Sequence, residues 1–533
     1  MISSEKDSNS NVKVSQVLAD SHENLLSQKK LLVVLSSMAV ALLLSFVDQT
    51  GITVALPYMS DDLKASDTIT WAGTSSLIST TVFMVFFGRM SDIFSRKYVL
   101  IAAMWILSIF DLACGLAQTP YQLYVFRGFC GIGNGGITSL TMVIVSDIVT
   151  LKERGKYQGI LGACVGLGNA LGPFLASAFI SHTSWRYFYY MLCPLIFCAS
   201  GIVLWLVPYT NPGFSKKEKL KKIDYPGFLC SSIGIIFILI PISGEGSSYE
   251  WNSPIVIAML LIGCVSLILF FYVELKVSSL PMIPPLLFAI SPSLTMLLSQ
   301  NFFFGMIYYS SIYYYPYYFE VVRGDSVIQT SLYLLCLVVP QSLTSVIGGR
   351  LISRTGKYIY VIWFGYIMWN LAVCLTLLWK TNSNPGVNVV VLLLNGMGVG
   401  ATFQPTLVAA QAQSYKKDRA TVISTRNVLR SFGGAIGLAI CSTIMSNTYT
   451  KLLKNEGMQY FSQEQIGVLG KQIYARIELT NYSESQIAFL RAIYMRSMKY
   501  LFYFWIASMG ICLISMIFVR DNGLQPLDHS ESK

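Results

Sequence analysis

Long apolar segments separated by short polar turns fill the chain between residues 31 and 519. A helix needs about 20 apolar residues to cross the roughly 30 Å hydrocarbon core of a bilayer. Measured against that length, the pattern predicts fourteen membrane-spanning helices. Their predicted bounds are 31–56, 72–88, 99–118, 121–146, 158–180, 187–208, 225–243, 254–275, 292–315, 327–349, 358–379, 386–411, 427–446 and 499–519.

The turns between these segments alternate in charge. Every second turn is rich in Lys and Arg, and the turns between them carry acids such as Asp61, Asp62, Asp67, Glu245 and Glu250. Cytosolic loops carry the excess of basic residues in membrane proteins. The alternation therefore predicts an even number of spans with both termini in the cytosol. The basic turns hold Arg89, Arg96, Lys97, Lys152, Arg154, Lys156, Lys216, Lys217, Lys219, Lys221, Lys222, Arg350, Arg354, Lys357, Lys416, Lys417 and Arg419.

Composition agrees with a membrane solvent. Only 12% of the residues are charged and 54% are hydrophobic, whereas a soluble domain has about 25% charged residues. The net charge of +11 does not indicate a nucleic-acid partner, because the basic residues are confined to the turns between apolar segments.

The sequence shows no pattern of residues that is typical of a metal site or a catalytic site. The eleven cysteines lie inside apolar segments, where they are expected to pack as small polarisable side chains. The three histidines lie in the two tails and one short loop, and no nucleotide-binding loop of the G-x-x-x-x-G-K-[ST] type is present. We therefore predict no cofactor, no metal and no enzymatic activity.

A short repeated sequence indicates that the chain has two related halves. Residues 88–97, Gly-Arg-Met-Ser-Asp-Ile-Phe-Ser-Arg-Lys, follow the second predicted span, and the similar basic turn 349–358 follows the tenth. Repeats of this kind build transporters whose halves move about a central site. The predicted division is a cytosolic tail (1–30), an N-terminal six-helix bundle (31–215), a basic loop with two extra spans (216–284), a C-terminal six-helix bundle (285–520) with an extracytoplasmic loop at 447–498, and a second tail (521–533).

Four stretches carry a family resemblance, in the order that the family has them. Residues 88–97 resemble the loop signature G-x-L-x-D-R-x-G-R-[RK] of the major facilitator superfamily. The matching residues are Gly88, Asp92, Arg96 and Lys97, while Ser95 replaces the second glycine. Residues 47–57 resemble the first-span motif of the fungal fourteen-span drug:proton antiporter family, with Thr53 where that family usually has Asn.

The other two stretches lie further along the same half. Residues 127–133 resemble the fourth-span motif R-x-x-Q-G-x-G, with Cys130 in place of Gln. Residues 168–173 resemble the fifth-span antiporter motif G-x-x-x-G-P through Gly168, Gly172 and Pro173. The resemblance implies a major facilitator fold of two six-helix bundles plus two extra helices, and transport of small molecules driven by protons.

Three ionisable residues within the predicted spans are candidates for proton coupling. Burial favours the protonated form of Asp48, and a nearby cation favours its carboxylate. An Asp48 that alternates between these two environments would bind a proton in one and release it in the other. Arg127 lies at a similar depth, and the resemblance ties its counterpart to proton transfer. Structural alternatives are a carboxylate that holds a neighbouring helix and an arginine that anchors one. Asp111 is a second candidate acid, or a group that recognises cationic cargo.

Other motifs predict gating, hinge and lining roles. Gly88, Asp92, Arg96 and Lys97 are expected to form a cytosolic gate whose charges pair in one conformation only. Glycines of the fifth span, including Gly168 and Gly172, permit close helix contact, and Pro173 adds a bend. The tyrosines of 308–318 fit an interfacial belt better than a ligand cage, although Tyr308 or Tyr309 could line a cavity. Amides that could do so are Gln300, Asn301, Gln341, Asn395 and Gln404.

These observations predict a proton-coupled antiporter that exports small organic, often lipophilic or cationic, compounds. The expected partners are that small molecule, protons and the bilayer, with no nucleic acid and a monomeric state. The plasma membrane is favoured over the vacuolar membrane. The alternatives are a vacuolar transporter of basic amino acids or another solute, a siderophore carrier, and a membrane receptor without transport. The sequon at Asn481 predicts glycosylation of the long loop.

Overall fold

The computed structural model describes residues 28–65, 68–69, 71–207, 223–243, 253–278, 281–415, 418–471 and 482–524. Regular structure in these residues is helical, and fourteen of the helices have 17 residues or more. We label them α1 (Gln28–Leu63), α2 (Trp71–Ile93), α3 (Arg96–Leu116), α4 (Pro120–Ile148), α5 (Leu151–His182), α6 (Trp185–Leu206), α7 (Tyr225–Ser243), α8 (Pro254–Lys276), α9 (Pro292–Tyr317), α10 (Val327–Thr355), α11 (Ile359–Leu375), α12 (Pro385–Ala412), α13 (Arg419–Glu456) and α14 (Glu484–Ser515).

Twelve of these helices, within the described part of the chain, are long and apolar enough to cross a membrane. The other two are α2 and α9. In α9, Gln300, Asn301 and a series of tyrosines lower the mean hydropathy. The chain is therefore a multi-pass membrane protein. The count of fourteen spans and the cytosolic position of both termini stay predictions.

Several helix ends carry caps that satisfy backbone groups left without a partner within the helix. Thr119 and Gln122 form a capping box at the start of α4, next to Pro120 in the first turn. The same arrangement begins α10 with Ser326 and Gln329, and Ser483 starts α14. Gly356 ends α10 with φ of 71°, a left-handed conformation that costs glycine little.

Packing partners repeat between the first six and the last six long helices. In the first set α1 packs on α5 and α6, α4 on α2 and α3, and α3 on α6. In the last set α9 packs on α13 and α14, α12 on α10 and α11, and α11 on α14. Each helix of the first set thus has the same packing partners within its set as the helix numbered eight higher has within the last set.

The two sets of helices meet along two seams. Helix α5 packs against α10, and α2 packs against α13. Helices α7 and α8 pack on each other, and α7 also contacts α2 and α13 beside the second seam. Buried Ile78, Val82, Ile235, Leu239 and Ala435 form the apolar contact there.

Helices α13 and α14 are longer than the apolar pattern predicts. The predicted loop 447–498 is much shorter, because α13 continues to Glu456 and α14 begins at Glu484, with a short helix, Gln463–Lys471, between them. Hydropathy detects only the apolar middle of a helix, and these extensions carry exposed charges such as Arg496 and Glu456, which form an ion pair at 2.7 Å.

Several predicted features lie outside the described residues. They are the N-terminal tail up to residue 27, the basic segment 208–222, Asn481, and the C-terminal residues 525–533.

Candidate functional site

Asp48 and Arg127 form an ion pair inside the first set of helices. The Nη1 of Arg127 on α4 donates to Oδ1 of Asp48 on α1 at 2.5 Å. Exposure of the side chains is 1% for Arg127 and 0% for Asp48. The structure thus brings together the two residues that the sequence analysis placed at a similar depth, and each neutralises the charge of the other.

Asn134 completes the hydrogen bonding of the carboxylate. It lies two turns after Arg127 on α4, and its Nδ2 donates to Oδ2 of Asp48 at 2.6 Å. The Oδ1 of Asn134 accepts from the hydroxyl of Ser45 at 2.6 Å. Both carboxylate oxygens of Asp48 therefore have a donor. The hydrogen bond from Ser45 to Oδ1 of Asn134 fixes which way the amide points, so that its Nδ2 faces Asp48.

Arg127 also contacts other helices. Its Nη2 lies 3.5 Å from the hydroxyl of Ser76 on α2, and its guanidinium carbon lies 5.7 Å from the ring centre of Tyr189 on α6. The Nε of Arg127 has no hydrogen-bond partner among the described residues. The arginine touches α1, α2 and α6, so a shift of any of these helices changes its environment.

Asp111 is fully buried on α3 but is not part of this ion pair. Its Oδ1 accepts from the thiol of Cys130 on α4 at 3.3 Å, and its Oδ2 has no partner within the described residues. Cys130 stands where the family motif has Gln and also lies 3.8 Å from Cys114. A buried carboxyl with one weak thiol donor is poorly compensated as an anion.

The gate motif lies at the end of the bundle that carries the basic turns, which we call the basic end. Arg96 begins α3 and forms an ion pair with Asp147 at the end of α4. Gly88 faces α13, where an added Cβ would overlap the side chain of Ser424. Lys97 is half-buried, and the side chain of Asp92 lies outside what the structure describes. The acid that Arg96 contacts, Asp147, was not among the predicted residues.

A second group at the basic end joins the two sets of helices. Arg154, listed above with the basic turn before the fifth predicted span, is in the first turn of α5 and only 5% exposed. Its Nη2 donates to the carbonyl of Ser146 at 2.5 Å, and its Nη1 to Oε1 of Gln411 on α12 at 3.3 Å. A guanidinium with backbone and amide acceptors can be buried at a helix seam, which the position of Arg154 among other basic residues did not indicate.

Small residues bring α5 close to both of its neighbours. Gly168 and Gly172 face α1, where a Cβ would overlap Phe46 and Thr50. On another side of α5, Gly155 and Gly159 meet α10 at Gly349 and Ser345. Pro173 lies inside α5 without ending it. The antiporter motif thus lies at a close crossing of α5 with α1.

Several of the tyrosines that the sequence assigned to an interfacial belt are buried. Tyr308, Tyr314, Tyr315 and Tyr318 are at most 2% exposed. Tyr313, in contrast, is 39% exposed, and the interfacial belt stays a prediction. Interfacial tyrosines and cavity tyrosines look alike in sequence, because both place a hydroxyl at the end of an apolar ring.

Tyr308 links the two sets of helices near their centre. Its hydroxyl accepts from Nδ2 of Asn169 on α5 at 2.6 Å and from Nε2 of Gln341 on α10 at 3.4 Å. Oxygens of Gln341, Gln404 and Asn301 are buried and have no partner among the described residues. The ring of Tyr309 lies against Gly434 on α13. Of the other two amides, Gln300 binds Ser515 and Asn395 binds Tyr315, so both hold helices of the last set together.

Two buried arginines on α13, Arg426 and Arg430, were missed by the sequence analysis. Each is 1% exposed. Their guanidinium carbons lie 5.2 and 4.7 Å from the ring centre of Phe403 on α12. The signal was the spacing of four residues, which places both on one face of a helix. Arg426 lies just before the predicted span 427–446 and Arg430 lies inside it.

The family profile of the Major Facilitator Superfamily matches residues 38–438. Citrate exporter 1 of Yarrowia lipolytica is 47% identical over 502 residues, which cover 94% of this chain and 74% of that protein. Efflux pump dotC of Dothistroma septosporum is 30% identical over 79% of this chain and 72% of the relative.

Two further comparisons concern a compartment and a fold. The vacuolar membrane amino acid uptake transporter fnx2 of Schizosaccharomyces pombe is 30% identical over 77% of this chain and 71% of its own length. Among solved structures, the proton:xylose symporter XylE bound to 6-bromo-6-deoxy-D-glucose superposes with a TM-score of 0.60 at 14% identity, covering 95% of this chain and 99% of XylE. At that identity the likeness concerns the fold.

Proposed function

Because the chain belongs to the Major Facilitator Superfamily, whose members are transporters and not enzymes, we propose that it is a proton-coupled antiporter that exports small organic molecules by alternating access. The observation that carries this proposal is the buried assembly of Asp48, Arg127 and Asn134. A receptor that only senses a solute would not need an ionisable pair in the membrane, where each charge is costly.

Asp48 has the surroundings that a coupling acid needs. In the present arrangement its two oxygens accept hydrogen bonds from Arg127 and Asn134. If α1 and α4 separate, the guanidinium moves away and burial favours the protonated acid. The binding and release of one proton would then accompany each movement of the helices. Asp111, with its thiol contact, is the second acid in this scheme.

Alternating access is supported by the repeated packing of the two helix sets. We propose that α1–α6 and α9–α14 are the two moving bundles, that all fourteen long helices cross the bilayer, and that the basic end faces the cytosol. Helices α2 and α9 are as long as spanning neighbours, and each packs along one of them. In the described structure the two sets meet at the basic end, where Gly155 of α5 lies against Gly349 of α10 and Gly88 of α2 against Ser424 of α13.

Within this scheme the gate motif works as a latch. The Arg96–Asp147 pair is partly exposed, with side-chain exposure of 22% and 41%. This pair lies within the first set of helices, and an exposed ion pair contributes less than about 1 kcal/mol. The contact of the gate motif across the two sets is that of Gly88 with Ser424 on α13, which must part when the basic end opens. Gly168, Gly172 and Pro173 at the α5–α1 crossing allow α5 to pivot while the rest of the bundle stays packed.

The cargo is proposed from the relatives. The sequence identity of 47% to a citrate exporter over most of the chain favours small organic acids as the cargo. The efflux pump at 30% identity supports export of other organic compounds. Export favours the plasma membrane, where we place the protein as a monomer. The vacuolar relative makes the vacuolar membrane the alternative compartment, and a fluorescent tag on the full chain separates the two.

The proposal is tested with the purified full-length protein in sealed vesicles. An imposed pH gradient should drive accumulation of at least one solute from a panel of citrate, lysine and a lipophilic cationic dye. Collapsing the gradient with a protonophore should abolish that accumulation. Binding of a panel member without any gradient-driven movement would instead identify a receptor.

A further inference from the structure

We propose that Arg426 and Arg430 bind carboxylate groups of the transported molecule, so that the cargo is a small organic anion. This inference rests on the proposed function, because it names the class of molecule that the transporter carries. It is argued from the charges and contacts of α13.

Neither arginine has a carboxylate partner in the described residues. The Nη2 of Arg426 donates to the carbonyl oxygen of Phe403 and to the hydroxyl of Thr406, the latter at 3.2 Å. Its Nη1 lies 3.3 Å from Oδ1 of Asn427. All three acceptors are neutral. Arg430 contacts the ring of Phe403, and no ion pair to either arginine occurs in the part of the chain that the structure describes.

The energetics of this pair differ from those of Arg127. Guanidinium groups stay protonated in proteins, so α13 holds two positive charges one turn apart. Removing each charge from water costs several kcal/mol unless an opposite charge compensates it. Arg127 has that compensation from Asp48 at 2.5 Å. Arg426 and Arg430 have no such acidic partner among the described residues, and an anionic cargo would supply one.

Unused donors point to where the anion binds. The Nε atoms of Arg426 and Arg430 and the Nδ2 of Asn427 are buried and have no partner among the described residues. Each guanidinium can present a planar fork of N–H groups to a carboxylate. Two such forks on one helix face suit a molecule with two or more carboxylates, with Phe403 as the apolar floor.

This cluster adjoins the contact between the two helix sets. The ring of Phe403 lies 6.1 Å from that of Tyr308, whose hydroxyl accepts from Asn169 on α5. On the same helix as the arginines, Ser424 contacts Ser139 on α4 at 3.2 Å. An anion held by α13 is therefore placed where relative movement of the two sets alters its surroundings. The same charges repel cations, which argues against the cationic cargo expected from the sequence.

The test measures binding without any gradient. The purified full-length protein in lipid nanodiscs is titrated with citrate, acetate, sulfate and tetraphenylphosphonium. Wild type should bind citrate and not tetraphenylphosphonium. Arg426→Gln and Arg430→Gln should each raise the Kd for citrate by at least about tenfold, the loss expected for hydrogen bonds to a charged group. The control Arg350→Gln removes an exposed arginine of α10 and should leave the Kd unchanged.

A stability readout separates binding from a structural role. If the arginines serve to bind an anion, their charges are uncompensated without ligand, and Arg430→Gln removes one of them. The Tm of this variant without ligand should therefore equal or exceed that of wild type. Arg430→Lys should restore part of the affinity, because it keeps the charge and loses the fork. A lower Tm for Arg430→Gln without ligand would assign the arginine a structural role and overturn the proposal.

The remaining outcomes are also decisive. No citrate binding by wild type, or sulfate binding as tight as citrate at the same arginines, would overturn the proposal, the latter by showing an inorganic anion site only. Gradient-driven accumulation of the dye without citrate binding would leave the proposed function standing and refute this site. Citrate binding through the arginines without gradient-driven movement would support this site and refute the proposed function.

Discussion

Nδ2 of Asn134 donates to the carboxylate of Asp48 at 2.6 Å, on the oxygen that Arg127 does not bind. The amide therefore fixes the orientation of the carboxylate that the arginine neutralises. Asn134 and Asp48 are both fully buried. This contact makes Asn134 a positioning residue in the proposed coupling mechanism.

Replacing Asn134 tests this role. Asn134→Ala removes one donor from a buried carboxylate and the acceptor of Ser45, so we expect the free energy of unfolding to fall by about 1–3 kcal/mol. We also expect slower gradient-driven transport, with substrate Kd unchanged. Thermal unfolding and vesicle transport measure these effects. The conservative control Asn134→Gln keeps the amide; equal transport by Asn134→Ala and wild type would refute a positioning role.

The crossing of α5 and α10 has no room for side chains. An added Cβ at Gly349 would overlap the carbonyl oxygen of Gly155, whereas Gly201 on α6 has open space around it. We expect Gly349→Val to lower stability by about 1–3 kcal/mol, the cost of overpacking, and Gly201→Val to change it little. Tm values of the two purified variants provide the comparison. Similar Tm values would show that the helices are not in close contact there.

The Ser139–Ser424 contact offers a way to lock the basic end. The two hydroxyls are 3.2 Å apart, on helices of different sets, and a disulfide requires Cβ atoms about 4 Å apart. In Ser139→Cys/Ser424→Cys, oxidation should stop transport and dithiothreitol should restore it. Each single variant, with the eleven native cysteines present, controls for unrelated oxidation. Continued transport by the oxidised double variant would contradict alternating access through this end.

Orientation is tested at Asn481, in the segment between α13 and α14. If this segment is extracytoplasmic, Asn481 is accessible to glycosylation. Glycosidase treatment of the protein expressed in a eukaryotic host should then increase its gel mobility, and Asn481→Gln should lose that response. A cytosolic position of an epitope inserted at residue 481, detected only after permeabilisation, would invert the proposed topology.

The sequence was sufficient for the long helices and for the Asp48–Arg127 pair. Apolar length predicts a spanning helix because the bilayer leaves few alternatives, and two opposite charges at one depth tend to pair. Asn134, Arg426 and Arg430 could not be found in this way. Their roles depend on which helix face meets which neighbour, and hydropathy gives no such information. Arg154 shows the same limit, since its burial depends on Gln411, 257 residues away.

The central claim, that Asp48 couples proton movement to transport, is tested most directly with Asp48→Asn in sealed vesicles. The variant should lose accumulation driven by a pH gradient and retain exchange of labelled for unlabelled substrate, because exchange needs no net proton movement. Asp61→Asn, an exposed acid on the same helix, should behave as wild type. Gradient-driven accumulation by Asp48→Asn at the wild-type level would contradict the account.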